Sequence, residues 1–213
     1  MNLLVLGATG RTGRLVVEQA LAAGHTVTAL VRSPEKVANG NANLRVVTGS
    51  ATDKSDLARA LEGADAVIST LGGKGSVIED SSQAIVGAAR AAGVSRVVVL
   101  SSWVVEQDRM DVVSRLLTGI AMGPVIKDKN AGEQVLRQID LEWTIVYPSV
   151  LTDGPANGSV AVVPEGAKRR MSETISRADV ATWLVAAAAG DQFSRRMVGI
   201  TGGSRASSLE TRS

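Results

Sequence analysis

The chain of 213 residues has no cysteine, one histidine, one tyrosine, one phenylalanine and three tryptophans. Without cysteine there are no disulfides, thiolate nucleophiles or zinc–thiolate sites. A single histidine rules out multi-histidine metal sites, and no metal is expected. So few aromatic rings make no base-stacking platform. An excess of one charge is also missing: 23 basic and 21 acidic residues leave +2. The longest basic run, Lys168-Arg169-Arg170, falls short of the blocks that mark nucleic-acid tails, so no nucleic-acid partner is expected. No apolar stretch approaches the roughly 20 residues of a membrane span. Residues 1–6 enter an apolar strand pattern without the basic start and cleavage site of a signal peptide. The expectation is a cytoplasmic protein, away from membranes, with a small-molecule substrate, as a monomer or homodimer.

Hydrophobic residues make up 45% and charged residues 21%, an ordinary globular balance. The length suits one domain, or one with a small appendage. Short apolar runs alternate with longer amphipathic stretches. Strands are expected at residues 3–6, 26–31, 44–47, 66–70, 96–100, 143–146 and 197–201. Helices are expected at 13–23, 53–62 (capped by Thr52 or Asp53), 80–92, from near Lys127 to 138, and 175–189 with Ser176 as N-cap. This alternation predicts an α/β fold with a doubly wound, mostly parallel sheet over residues 1–203. Residues 72–79, 103–124 and 149–174 leave the carboxyl edge of the sheet, where ligands bind in such folds, and are expected to wall a pocket. Residues 204–213 read as a flexible tail.

The first strand runs into Gly7-Ala8-Thr9-Gly10-Arg11-Thr12-Gly13. The spacing is G-x-x-G-x-x-G rather than G-x-G-x-x-G, yet it meets the same needs. Gly7 permits a tight turn, Gly10 removes a side chain where backbone approaches phosphate, and Gly13 permits close packing of helix on sheet. The helix N-terminus then offers N–H groups and partial positive charge to a pyrophosphate. An NAD site usually presents an acid at the end of the second strand. Here Arg32-Ser33 stands there, and Arg11 is within reach of the same place. A guanidinium suits a phosphate, so NADP is preferred over NAD.

GATGRTG, Arg32, the VISTLGG and VVVLSS segments, DLEWTIVYPSVLTDGP and ISRADVA together resemble the atypical short-chain dehydrogenase/reductase superfamily. The branch is that of compact NAD(P)H-binding proteins related to NmrA-like proteins and to biliverdin reductase B (flavin reductase). The resemblance spans roughly residues 1–203 and implies a Rossmann-type sheet with NADP across its carboxyl edge. It implies that Gly7, Thr9, Gly10, Arg11, Thr12 and Gly13 surround the phosphates and that Arg32 faces the 2′-phosphate. Ser50 and Ala51 would flank the adenine, and Thr70, Leu71 and Gly72 would line the cofactor. Ser101 and Ser102 would stand beside the nicotinamide, with Tyr147, Pro148, Ser149 and Val150 near its amide. Superfamily members of the usual type carry Tyr-x-x-x-Lys, in which the tyrosine donates a proton to a carbonyl oxygen. If Lys129 is that lysine, the tyrosine position is Val125, which transfers no proton.

Hydride transfer needs no protein acid when the acceptor takes its proton from water, as a flavin, quinone or tetrapyrrole can. Ser101, Ser102 and Lys129 are the candidate catalytic residues: the serines for hydrogen bonds or a water relay, the lysine for the ribose hydroxyls. The leading expectation is an NADPH-dependent reductase of a flat acceptor. The alternative is a non-catalytic NADP-binding redox sensor of NmrA-like type, and the missing tyrosine argues against an epimerase or dehydratase. Trp143 and Trp183 are expected in the core, while Trp103 either covers substrate or fills a gap. Met110, Val112, Val113, Leu116, Leu117 and Ile120 form an apolar stripe expected to be core, a lid or a dimer contact, with Asp108, Arg109 and Asp111 as its solvated face.

Overall fold

Leucine- and valine-rich runs form the centre of a sheet covered on both faces. They are β1 (Asn2–Leu6), β2 (Thr26–Val31), β3 (Leu44–Thr48), β4 (Ala66–Ser69), β5 (Arg96–Leu100) and β6 (Glu142–Pro148). The computed structural model describes residues 1–37, 40–73, 76–168 and 170–203, with backbone alone at 113 and 114. Arg169 and the tail expected at 204–213 lie outside the described residues. Helices α1 (Arg11–Ala22), α2 (Lys54–Leu61), α3 (Val77–Ala92) and α4 (Val112–Arg137) cross between strands. Three short strands follow, β7 (Val150–Thr152), β8 (Val160–Val163) and β9 (Thr174–Ser176), then α5 (Arg177–Ala189) and β10 (Arg196–Gly202).

The main sheet has the order β3-β2-β1-β4-β5-β6-β10-β8. Every pairing in it is parallel except that of β8 with β10. Strand order reverses at β1, which pairs with β2 on one side and β4 on the other. This is the switch point where α/β sheets open a crevice at their carboxyl ends. Alternation persists within the apolar strands. Leu4 and Leu6 join the core beneath α2, α3 and α4, while Leu3 and Val5 join the core beneath α1 and α5.

Three sequence expectations need correction. The fourth helix starts at Val112, not near Lys127, and carries Pro124 inside it. Proline forgoes one backbone bond, yet the helix runs through it. The third helix starts at Val77 rather than 80. Residues 149–174, expected only to wall a pocket, hold β7, β8 and the start of β9, which runs on to Ser176 so that α5 begins at Arg177 rather than 175; β7 and β9 pair in parallel, and β8 extends the main sheet. Trp103 and Trp143 are buried in one core, so Trp103 fills the interior. Trp183 is half-buried, stacked at a tilt on Phe193 with ring centres 5.0 Å apart. Met110 is buried, but Val112, Leu116, Leu117 and Ile120 are 62–76% exposed, so their stripe does not fill the core. The Val113 side chain lies outside the described residues.

Candidate functional site

The glycine turn is as tight as the sequence demands. Gly7 has φ +80°, and a Cβ there would meet Thr70 Oγ1 at 2.8 Å. A Cβ on Gly13 would stand 2.0 Å from the Gly7 carbonyl oxygen, inside any permitted contact. Gly10 N–H donates to that carbonyl at 2.9 Å, and Thr70 Oγ1 donates to Leu6 O at 3.0 Å, tying β4 to the turn. The turn leads into α1, whose start has no side-chain cap and no acid in its first turn. Three other helix starts are treated differently. Asp53 caps α2, Ser176 caps α5, and Asp128 accepts the Ile78 and Glu79 N–H groups of α3. The first-turn amides of α1 thus keep the donors and partial positive charge that fit an anionic phosphate.

Beside this turn lies a cleft of about 170 Å³ at the carboxyl ends of β1, β2, β3 and β4. Gly7, Thr9, Arg32, Ser50, Ala51, Leu71 and Gly72, all expected from sequence, line it with Leu30, Val31, Gly49, Thr52 and Val77. Thr70 is occupied with the turn, and Ser50 Oγ bonds to Thr52 Oγ1 at 2.8 Å. Arg11 takes another direction. Its guanidinium pairs with Asp153, just beyond β7, and Arg177 meets the same carboxylate at 2.9 Å. Thr12 is buried at the start of α1. Pro148 pairs with Ile200 in the sheet, and Val150 N–H donates to Glu173 O at 3.0 Å. Ser149 is buried, its hydroxyl 2.9 Å from Thr201 Oγ1, so it binds β10 rather than opening on the cleft.

Ser101, Lys129 and Tyr147 meet at a residue that the motifs of the sequence do not single out. Glu133 is 4% exposed. It accepts from Ser101 Oγ at 2.5 Å and from Tyr147 OH at 2.5 Å, one hydroxyl on each carboxyl oxygen. Burial raises its pKa above the usual carboxylate value. The Ser101 and Tyr147 bonds and the charges of Lys129 and Arg137 oppose the rise. Burial and Glu133 also push the Tyr147 phenol up, so it stays protonated and donates. Burial lowers the Lys129 pKa, against the pull of Glu133 and Asp128. Lys129 and Glu133 are four apart on α4 and share a face, the one sequence signal that points to Glu133. Ser102 does not join them; it precedes a short 3-10 turn at Trp103–Val105, its carbonyl accepting Val105 N–H at 3.0 Å.

Among the described residues no helix is long and apolar enough to cross a membrane, and no acid, histidine or cysteine cluster is placed to hold a metal. The chain is 30% identical over 206 residues to the (4-alkanoyl-5-oxo-2,5-dihydrofuran-3-yl)methyl phosphate reductase of Streptomyces griseus, covering 94% of this chain and 67% of that one. It is similar to the anaerobillin reductase ChuY of Escherichia coli O157:H7, at 25% identity and TM-score 0.79, covering 94% and 96% of the two chains. A short-chain dehydrogenase/reductase of Veillonella parvula in complex with NADP shares the fold, at TM-score 0.82 and 20% identity over 96% and 95%. Residues 7–191 match the family model described as NAD(P)H-binding, which takes in the glycine turn, the cleft and the Glu133 cluster. The chain therefore belongs to the NAD(P)H-binding family, a Rossmann-type oxidoreductase family with reductases among its members.

Proposed function

We propose that this chain is an NADPH-dependent oxidoreductase that reduces a flat acceptor, a flavin, a quinone or a similar ring system. The observation that carries the reading is the uncapped start of α1 beside the cleft that Arg32 lines. The amides of Arg11, Thr12 and Gly13 would hold the pyrophosphate, and Arg32 would hold the 2′-phosphate that distinguishes NADP from NAD. Ser50 and Ala51 would flank the adenine, and Leu71 and Gly72 the central part of the nucleotide. Lys129 would serve the ribose hydroxyls. When bound, the reduced nicotinamide supplies a hydride, and the protein supplies binding and orientation. Residues 72–79, 103–124 and 149–174 would wall the acceptor. The reductase names of the Streptomyces griseus and Escherichia coli relatives support the direction of the chemistry.

A second reading, a non-catalytic NADP-binding redox sensor, is favoured by Val125 at the position of the usual proton-donating tyrosine. Purified protein with NADPH and a panel of flavins, quinones and carbonyls separates the two. Steady loss of the reduced-nicotinamide absorbance supports the reductase. Tight NADPH binding without turnover supports the sensor, and absence of NADP(H) binding defeats both.

A further inference from the structure

The Glu133 cluster has a polarity suited to moving a proton. Two hydroxyls donate to its two oxygens, and the carboxyl, Ser101 and Tyr147 are all at most 7% exposed. A buried carboxylate is costly where its charge is not fully compensated. Once protonated, Glu133 can donate to Ser101 Oγ instead. A serine hydroxyl that accepts this bond has its own hydrogen free to point elsewhere. Ser101 directly follows β5, the neighbour of β4, and the segment leaving β4 lines the cleft through Leu71 and Gly72. Glu133 also lies one turn beyond Lys129 and two beyond Val125, on the face of α4 where the usual tyrosine donor is missing.

We propose that Glu133 is the proton-holding residue of this site and passes its proton through the Ser101 hydroxyl to the hydride adduct of a quinone or conjugated carbonyl. The inference rests on the reductase reading above. Hydride from the reduced nucleotide adds to the acceptor, which becomes an oxyanion as the nucleotide is oxidised. The Ser101 O–H bond breaks toward that oxyanion while the Glu133 O–H bond breaks toward Ser101 Oγ. Glu133 is left as a carboxylate, and water restores its proton. The sum is one NADPH, one proton and one acceptor consumed, and one NADP⁺ and one reduced acceptor formed. A flavin delocalises the charge left by hydride addition over its ring, so it depends less on this relay. The charged and titratable groups facing Glu133 are Lys129 and Arg137 from α4 and Tyr147 from β6, and Glu106, before α4, acts on Tyr147.

Tyr147 is the sole tyrosine of the chain, so a ¹³C label at its Cζ reports from one place. In the protein without nucleotide, its resonance is expected to move as pH rises through a titration above the ordinary carboxyl range. In Glu133→Gln it stays flat through that range. With NADPH and a quinone, the wild-type rate falls through the same range. Glu133→Gln loses that limb and runs roughly a hundredfold slower, the scale of a lost general acid. Ser101→Ala, which removes delivery but leaves Glu133, shows a comparable loss, and flavin reduction falls far less in both variants. A flat Tyr147 titration in the wild type overturns the relay, as do rates and pH profiles unchanged in both variants. If the wild type fails to oxidise NADPH with every flavin, quinone and carbonyl tested, the reductase reading fails and takes the relay with it. The Tyr147 titration is read without turnover and tells the two failures apart.

Discussion

The Asp128 carboxylate accepts the backbone N–H of Ile78 at 3.1 Å, and that of Glu79 at 3.0 Å, so α4 caps α3 from 49 to 50 residues away. Asp128 is buried and directly precedes Lys129, so the cap also fixes the turn of α4 that carries the site. Asp128→Ala leaves two first-turn donors without this partner and should cost about 1–2 kcal/mol, the usual range for a lost helix cap. Urea unfolding checks this: the midpoint falls with the slope unchanged. Asp128→Asn keeps an acceptor and should lose less than half as much.

Arg32→Asp tests the nucleotide assignment. If Arg32 faces the 2′-phosphate as proposed, replacing this cation by an anion removes charge-assisted bonds worth roughly 1.5–3 kcal/mol each. The dissociation constant for NADPH should therefore rise at least about tenfold, while that for NADH stays within a few-fold. Fluorescence titration with both nucleotides measures the ratio. Equal losses for the two would remove Arg32 from the 2′-phosphate site.

Much of this architecture is written locally. The apolar run of β1 and the spacing of Gly7, Gly10 and Gly13 identify the switch-point turn without any knowledge of the rest of the chain. Arg32 is readable for the same reason, one residue past β2. What the sequence hides is non-local. The early start of α3 is held by Asp128 from the far side of the chain, although Ser76 and Glu79 stand at capping-box spacing there. The helix expected from near Lys127 in fact starts at Val112 and runs through Pro124. Glu133 shares a helix face with Lys129. That it joins Ser101 to Tyr147 emerges only once β5 and β6 are paired with Leu100 opposite Val146. The Asp153 carboxylate that pairs with the Arg11 guanidinium comes from 142 residues on, and nothing in the glycine turn points to it.

Gly13→Ala probes the turn itself. The new methyl carbon would fall 2.0 Å from Gly7 O and 2.7 Å from Thr70 Oγ1, and the first of these is backbone that cannot swing aside. Overpacking of this kind typically costs 1–3 kcal/mol, so about that loss of stability is expected. Because the methyl displaces α1 from β1, binding of NADPH and NADH should weaken together, unlike the selective effect of Arg32→Asp. Calorimetric titration of both nucleotides distinguishes the two patterns. Unaltered affinity in a folded Gly13→Ala protein would deny the turn its role.

The exposed pair of Arg11 with Asp153 makes a different prediction. Both side chains are 62% exposed, and surface pairs contribute about 0–1 kcal/mol. Asp153→Asn should thus cost little stability through Arg11, and any fall in the thermal midpoint should come from Arg177, which pairs with the same carboxylate and whose side chain is 15% exposed. It should also release Arg11 from its carboxylate partner at the start of α1, where anionic phosphate is expected, and tighten NADPH binding. The gain should shrink as salt rises, because exposed charges are screened. Titrations at low and high ionic strength check the sign and the salt response together, and weaker binding at low salt would show that Asp153 helps to build the site.

Glu133 also predicts how stability responds to pH. Its folded pKa is raised above the ordinary carboxylate value, chiefly by burial, so the folded state binds this proton more tightly than the unfolded chain. Linkage sets the sign: a more tightly held proton favours folding while it is bound. The contribution is complete below the ordinary value of 4.5 and is lost as pH rises through the raised value in the fold. Glutamine at 133 cannot titrate, yet its amide offers one acceptor and one donor to Ser101 and Tyr147, whose hydroxyls can rotate to suit. Over that window the wild type should therefore lose stability relative to Glu133→Gln. Parallel urea unfolding of the two proteins at several pH values measures the difference directly. Curves that run parallel from about pH 4 upward, near the ordinary carboxylate value, would mean that Glu133 has the same proton affinity in the folded and unfolded chain, and the raised value would be wrong.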